Sequence, residues 1–249
     1  MNKTTLTAAM SAIILAGSTI AAPDPKKSDE KEKIPTPETP VLMIGDSMMA
    51  LLGKEMEKAF KKADVMPATY FSSLGSGLVR PSAFDWPTKI KELIATHKPR
   101  TVFVCLGAND RQPLELPGGE IIRYEDAAEW RAAYAQIIGS IMDQLIQSDV
   151  KRVFWMLLPP MKDSFNQEHA QLVNEVVKEQ AADEKRKDIV YLYDLSTHLS
   201  SPRAPGKFTM YVNSPTAESI TVRSPDGVHL SVPGSKLVAQ KILKEFWDK

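Results

Sequence analysis

Val41-Leu42-Met43-Ile44-Gly45-Asp46-Ser47 is an unbroken apolar run that stops at a glycine, a carboxylate and a hydroxyl. A strand with one wet face would alternate, so this run reads as a strand buried on both faces, as in a parallel sheet. Residues 48–62 follow with helical spacing of their apolar side chains, which makes the unit strand, tight turn, helix. Working outward, runs at 68–71, 101–106, 152–157 and 189–193 are further strand candidates, rich in Val, Ile, Phe and Tyr. Between them, 87–97, 127–147, 166–186 and 232–247 have the length and period of helices. Strand and helix alternating five times predict an α/β fold, a three-layer α/β/α sandwich around a mostly parallel five-stranded sheet of the flavodoxin-like kind.

The chain has 249 residues, of which 43% are hydrophobic and 25% charged, with 31 basic and 31 acidic side chains. That composition supports a packed core, and the balanced charge leaves no basic footprint for nucleic acid or an anionic membrane surface. At the N-terminus, Asn2 and Lys3 precede an apolar run over 6–20 that ends among Thr19, Ala21 and Ala22. This layout predicts a signal peptide at 1–21, cleaved after Ala21 or Ala22, and a periplasmic or secreted protein. The run is shorter than the roughly 20 residues a membrane span needs. Residues 22–40, proline-bearing and alternately charged, read as a flexible leader, which leaves one domain at 41–249. The only cysteine, Cys105, lies within the run 101–106 and reads as a core thiol; no intrachain disulfide is possible.

In open α/β sheets ligands bind outside the carboxyl ends of the strands. Three polar blocks fall there or in a turn leading to a helix. Ser47 follows the first strand at a helix start, where free backbone N–H groups can face a developing oxyanion; a plain N-cap role for Ser47 or Asp46 is the other reading. Ser224-Pro225-Asp226-Gly227-Val228-His229-Leu230 precedes the last helix. A serine needs a base and the base needs an orienting acid, and Asp226 and His229 can supply both from one segment, although an Asx-turn with a surface histidine fits the same residues. Gly107-Ala108-Asn109-Asp110 ends the third strand; the Asn109 amide can donate to an oxyanion or simply form a turn, while Asp110 reads as structural. His97, His169 and His198 lack such settings and read as surface or helix-end residues.

Gly45-Asp46-Ser47, Gly77 in Ser76-Gly77-Leu78, Gly107-Ala108-Asn109-Asp110 and Asp226-Gly227-Val228-His229 together resemble, in order, the four blocks of the SGNH, or GDSL-type, hydrolase superfamily. The resemblance implies Ser47 as nucleophile, His229 as general base, Asp226 as its orienting acid, and an oxyanion hole from Gly77, Asn109 and the Ser47 amide. Ser76-Gly77-Leu78-Val79-Arg80-Pro81 with Phe84-Asp85-Trp86-Pro87 is similar to a bacterial periplasmic branch of that superfamily catalogued as domain of unknown function 459. Met48 and Met49 stand where many GDSL enzymes carry leucine, a departure that leaves the reacting atoms alone.

Around the blocks, Arg80, Asp85 and Trp86 are candidate substrate contacts. Arg80 suits a carboxylate or sugar hydroxyl, or an ion pair with Asp85; Trp86 suits sugar stacking or a place in the core, whereas Trp155 lies in a strand run and belongs to the core. Residues 111–126 read as a long loop able to roof the site, and 207–212 as a short strand or hairpin. There is no metal constellation and no phosphate or dinucleotide loop, so no cofactor is called for. The expected activity is that of a serine esterase removing O-acetyl groups from an envelope polysaccharide or peptidoglycan, or hydrolysing a small acyl ester, through an acyl-enzyme. Transfer of the acetyl group to a glycan by the same triad, alongside membrane-bound acetyl-transfer machinery, is the alternative, and a non-catalytic glycan-binding or assembly role is the third.

Overall fold

A computed structural model describes residues 36–213 and 218–247. The expected signal peptide and the leader up to residue 35 lie outside the described residues. In chain order the elements are β1 (Val41–Gly45), α1 (Ser47–Lys62), β2 (Ala68–Ser72), α2 (Trp86–His97), β3 (Thr101–Cys105), β4 (Leu114–Glu115), β5 (Ile121–Ile122), α3 (Ala127–Ile146), β6 (Arg152–Leu157), α4 (Ser164–Ala181), β7 (Val190–Asp194), α5 (Ser196–Leu199), β8 (Tyr211–Asn213), β9 (Ser219–Thr221) and α6 (Val232–Phe246). The central sheet has the order β2-β1-β3-β6-β7 with every neighbouring pair parallel. On its faces, α1 packs on α6 and α3 packs on α4, while Gln144 of α3 donates to the Pro87 carbonyl of α2 at 2.8 Å.

The α/β sandwich expected from the alternating pattern is the fold observed. All five residues of β1 and of β3 are buried, which is why both runs lack polar interruptions. Phe103 and Phe154 stack across adjacent strands with ring centroids 4.8 Å apart. In α1 the buried Met49, Leu52, Met56 and Phe60 recur at helical spacing, and Lys61 and Lys62 fall in the last turn, where they favour the helix dipole. Chain connections leave β1 and β3 toward opposite sheet edges, which opens a crevice at their carboxyl ends.

Several boundaries differ from the sequence reading for identifiable reasons. The helix expected at 166–186 runs from Ser164 to Ala181. Beyond it Asp183 turns the chain by accepting from Lys185 N, and Arg186 folds back onto Asp143 and Gln180. The loop expected to roof the site at 111–126 contains the antiparallel pair β4 and β5. It is tied to its neighbours by Glu115 N donating to the Val79 carbonyl and Trp130 Nε1 donating to the Gln112 carbonyl, both at 2.8 Å. The strand expected at 207–212 forms instead at Tyr211–Asn213, paired with β9. Among the described residues no helix is long and apolar enough to cross a membrane.

Gly45, where β1 ends, has no room for a side chain. A Cβ there would lie 2.1 Å from the Cys105 carbonyl oxygen and 2.6 Å from Met49 Cβ, and neither neighbour can yield without moving β3 or α1. Gly45→Ala is expected to destabilise the fold by about 3 kcal/mol or more, as overpacking does in a rigid core; a urea unfolding midpoint unchanged from the parent would contradict this.

Candidate active site

Asp46 caps α1: its side chain accepts from Met48 N at 2.8 Å, with its other oxygen accepting from Ala108 N at 3.2 Å. That geometry sets Ser47 at the first helical position, half-buried and facing the crevice. Asp46, not Ser47, is therefore the cap, and the serine hydroxyl is left free for another partner.

That partner comes from the other end of the chain. His229 Nε2 lies 2.8 Å from Ser47 Oγ, and His229 Nδ1 lies 2.9 Å from Asp226 Oδ2. The second carboxylate oxygen of Asp226 accepts from Val228 N at 2.7 Å and His229 N at 2.9 Å. Partial burial pushes the Asp226 carboxyl up, but the ring and amide donors outweigh it and hold the group below the usual carboxylate range. An ionised Asp226 requires the hydrogen of the imidazole on Nδ1, which leaves Nε2 to accept the Ser47 proton.

The turn carrying these residues is gripped from below by Arg223, whose side chain is among the largest fully buried ones. Its guanidinium donates to the carbonyls of Pro160 at 2.8 Å, Val228 at 2.7 Å and Gly227 at 3.3 Å. Nothing in the sequence separates this arginine from a surface one; only the apolar Val222 beside it hints at burial.

Gly77 and Asn109 meet at the opposite rim. Asn109 Nδ2 donates to the Ser76 carbonyl at 2.9 Å, which leaves its second N–H unspent. Among the described residues the backbone N–H groups of Ser47 and Gly77 have no hydrogen-bond acceptor. Gly77 must be glycine because a Cβ would lie 2.1 Å from Asp110 Oδ1. Asp110 is buried and takes the structural role expected of it, accepting from Leu78 N at 2.6 Å, Val79 N at 3.3 Å and the Tyr134 hydroxyl at 2.8 Å.

Four other expectations are corrected. Trp86 is wholly buried and donates to Ser76 Oγ at 3.1 Å, so it offers no face for a sugar to stack on. Asp85 does not pair with Arg80; it caps α2, accepting from Thr88 N at 3.0 Å and Thr88 Oγ1 at 2.7 Å. Arg80 lies near Glu115 instead, at 3.7 Å. His169, read as a surface or helix-end residue, is 2% exposed, with Nε2 2.9 Å from the Gly107 carbonyl and Nδ1 3.3 Å from the Tyr124 hydroxyl. Burial pushes its pKa down to about 4, so the ring is a neutral brace for the 107–110 loop. Its helical spacing with Val173 and Val176 was the available signal. Cys105 is buried as expected, and its desolvation pushes the thiol up.

The chain belongs to a protein family of unknown function, DUF459, whose model matches residues 40–245. No curated protein matches the chain. Among solved structures it is similar to a gut microbial diltiazem-metabolizing enzyme, with a TM-score of 0.55 and 15% identity over 86% of this chain and 48% of that one. It is also similar to a family two carbohydrate esterase from Clostridium thermocellum, with a TM-score of 0.48 and 15% identity over 87% of this chain and 65% of that one. The peptidoglycan O-acetyltransferase A catalytic domain from Streptococcus pneumoniae gives a TM-score of 0.42 and 14% identity over 86% of this chain and 97% of that one. The chain thus spans about half of the length of the first and about two thirds of that of the second.

Burial pushes the Asp46 carboxyl up to about 7, helped by the negative field of Asp110, and pushes Asp110 up to about 6. A carboxyl whose pKa is higher folded than unfolded holds a proton that the unfolded chain has released, so its contribution falls as pH rises from about 4 to the folded value. Asp110→Asn keeps both contacts, since Oδ1 still accepts from Leu78 and Val79 and the new amide donates to Tyr134. Relative to the parent, this variant is expected to gain on the order of 2 kcal/mol between pH 4 and pH 7. Parallel stability curves from urea unfolding at several pH values would refute the assignment.

Proposed function

We propose that the protein is a serine esterase that removes short acyl groups, chiefly acetyl, from an envelope glycan through a covalent acyl-enzyme. The observation that carries this reading is the continuous line Ser47 Oγ, His229 Nε2, His229 Nδ1 and Asp226 Oδ2, with both links within 2.9 Å, at the carboxyl end of the sheet. As Ser47 Oγ attacks the ester carbonyl, His229 takes its proton, and the Ser47 and Gly77 amides with the free Asn109 N–H receive the negative oxygen. The C–O bond to the sugar then breaks, and the His229 proton goes to the departing alcohol. Water repeats the sequence: it loses a proton to His229, attacks the acyl-serine, and acetate leaves as Ser47 regains its proton.

Two features favour hydrolysis of a small acyl group from a bulky hydrophilic alcohol. The His229 and Asp226 side chains are 39% and 48% exposed, so water reaches the base directly, which suits hydrolysis better than transfer to a second sugar. The partner of the hydroxyl is polar, His229, itself bonded to Asp226, whereas a long acyl chain requires an apolar channel.

The test is chemical. A fluorophosphonate, which phosphonylates activated serines with loss of fluoride, is expected to label the parent, and 4-nitrophenyl acetate to be hydrolysed. Ser47→Ala is expected to lose labelling and about 10⁴-fold or more in turnover while unfolding at the parent's temperature. Incubation with an O-acetylated glycan is expected to release free acetate rather than acetylate an added acceptor. Retention of turnover by folded Ser47→Ala would overturn the reading.

A further inference from the structure

Arg111 follows Asn109 by two residues, at the start of the segment that leaves the crevice. Its guanidinium carbon lies 3.3 Å from the ring centroid of Phe165 and 5.2 Å from that of Tyr124. One of its terminal nitrogens donates to the Phe165 carbonyl at 2.5 Å. A guanidinium carries five N–H donors in one plane, and among the described residues this carbonyl is their only hydrogen-bond acceptor and no carboxylate comes within ion-pair distance. Arg80, Arg123, Arg131 and Arg186, by contrast, each hold a carboxylate. Phe165 is itself 56% exposed in the first turn of α4, so the stacked pair lies at the surface.

The position of this pair is fixed relative to the reacting groups from two sides. Lys162, three residues before Phe165, donates its backbone N–H to the Gly227 carbonyl at 3.1 Å, between Asp226 and His229. On the other side, His169 of the same helix braces the Gly107 carbonyl of the Asn109 loop. The amino end of α4 therefore spans the gap between the Asn109 loop and the Asp226–His229 turn, and Arg111 with Phe165 forms part of that rim.

We propose that Arg111, held flat by Phe165, is a subsite for the carboxylate of an acidic sugar, so that the glycan acted on is a polyanion; the placement of the acyl group beside it rests on the esterase reading. The ring fixes the plane of the guanidinium and strips water from its face, and the unspent N–H edge presents the parallel donors that a carboxylate accepts bidentately. A neutral glycan would leave that cation unpaired. Arg111 is a binding residue in this scheme and takes no part in bond making.

Ser47→Ala protein, which holds substrate without turning it over, is titrated by calorimetry with an oligogalacturonate and with a neutral xylo-oligosaccharide of equal length. The acidic glycan is expected to bind about tenfold more tightly at low salt, and Arg111→Gln in the same background is expected to erase that preference. Arg111→Lys, which keeps the charge and loses the fork, is expected to retain part of it. In proteins carrying Ser47, the ratio of kcat/KM for O-acetylated oligogalacturonate to that for O-acetylated xylo-oligosaccharide is expected to fall about tenfold in Arg111→Gln. Equal binding of the two glycans by Ser47→Ala, or an Arg111→Gln change that weakens both alike, would overturn the proposal and leave the stack as a staple between loop and helix. Fluorophosphonate labelling separates the two readings. Labelling without an acidic preference sinks the subsite alone, and an Arg111-dependent preference without labelling sinks the esterase alone.

Discussion

Asp46 and Asp110, both buried at the carboxyl end of the sheet, each accept backbone N–H groups from a segment other than their own loop. Asp46 ties the start of α1 to Ala108, and Asp110 ties the Asn109 loop to Leu78 and Val79. A carboxylate buried without such donors would cost several kcal/mol, so once the core closes over them these contacts become obligatory. Three loops that follow three different strands are thereby locked into one surface. The glycine at 77 is a consequence of the same contact, because the Asp110 oxygen occupies the space a Cβ would need.

The fourth segment is held differently. The Asp226–His229 turn follows no strand of the main sheet, and its backbone is secured by the carbonyl contacts of Arg223 and by Lys162 N. A buried cation that satisfies carbonyl oxygens fixes where a turn sits while leaving its side chains outward. His229 can then reach Ser47 across the crevice at 2.8 Å although 182 residues separate them.

The layered fold was legible because its signal is collective: buried parallel strands produce apolar runs such as 41–44 and 101–106 that surface segments do not. The blocks bearing Ser47, Asn109, Asp226 and His229 were legible as a set: each residue type is common at strand ends and turns, but the blocks fall there in one order along the chain. What could not be read was the partner of each flanking side chain. Asp85 three residues before Thr88 is as good a helix cap as an ion-pair partner for Arg80, and only the path of the backbone decides. Trp86 looked accessible beside a polar block, yet it falls on the inner face of α2, where Phe71 and Phe84 pack against its ring. Arg111 gave no signal and Arg223 only the faint one of its apolar neighbour Val222, since the stacking of the first and the burial of the second depend on segments far away in sequence.

Three aspartates stand in the blocks around Ser47, and their environments assign them different work. Asp46 and Asp110 are stripped of water and pushed toward neutrality, to about 7 and about 6. Asp226 is half-exposed and surrounded by donors, and it is held ionised. An acid that orients an imidazole and balances its positive charge must be charged when the proton arrives. Of the three, Asp226 alone combines a depressed pKa with a hydrogen bond to the histidine ring, so in the proposed esterase the division between scaffold and chemistry follows from burial rather than from residue type.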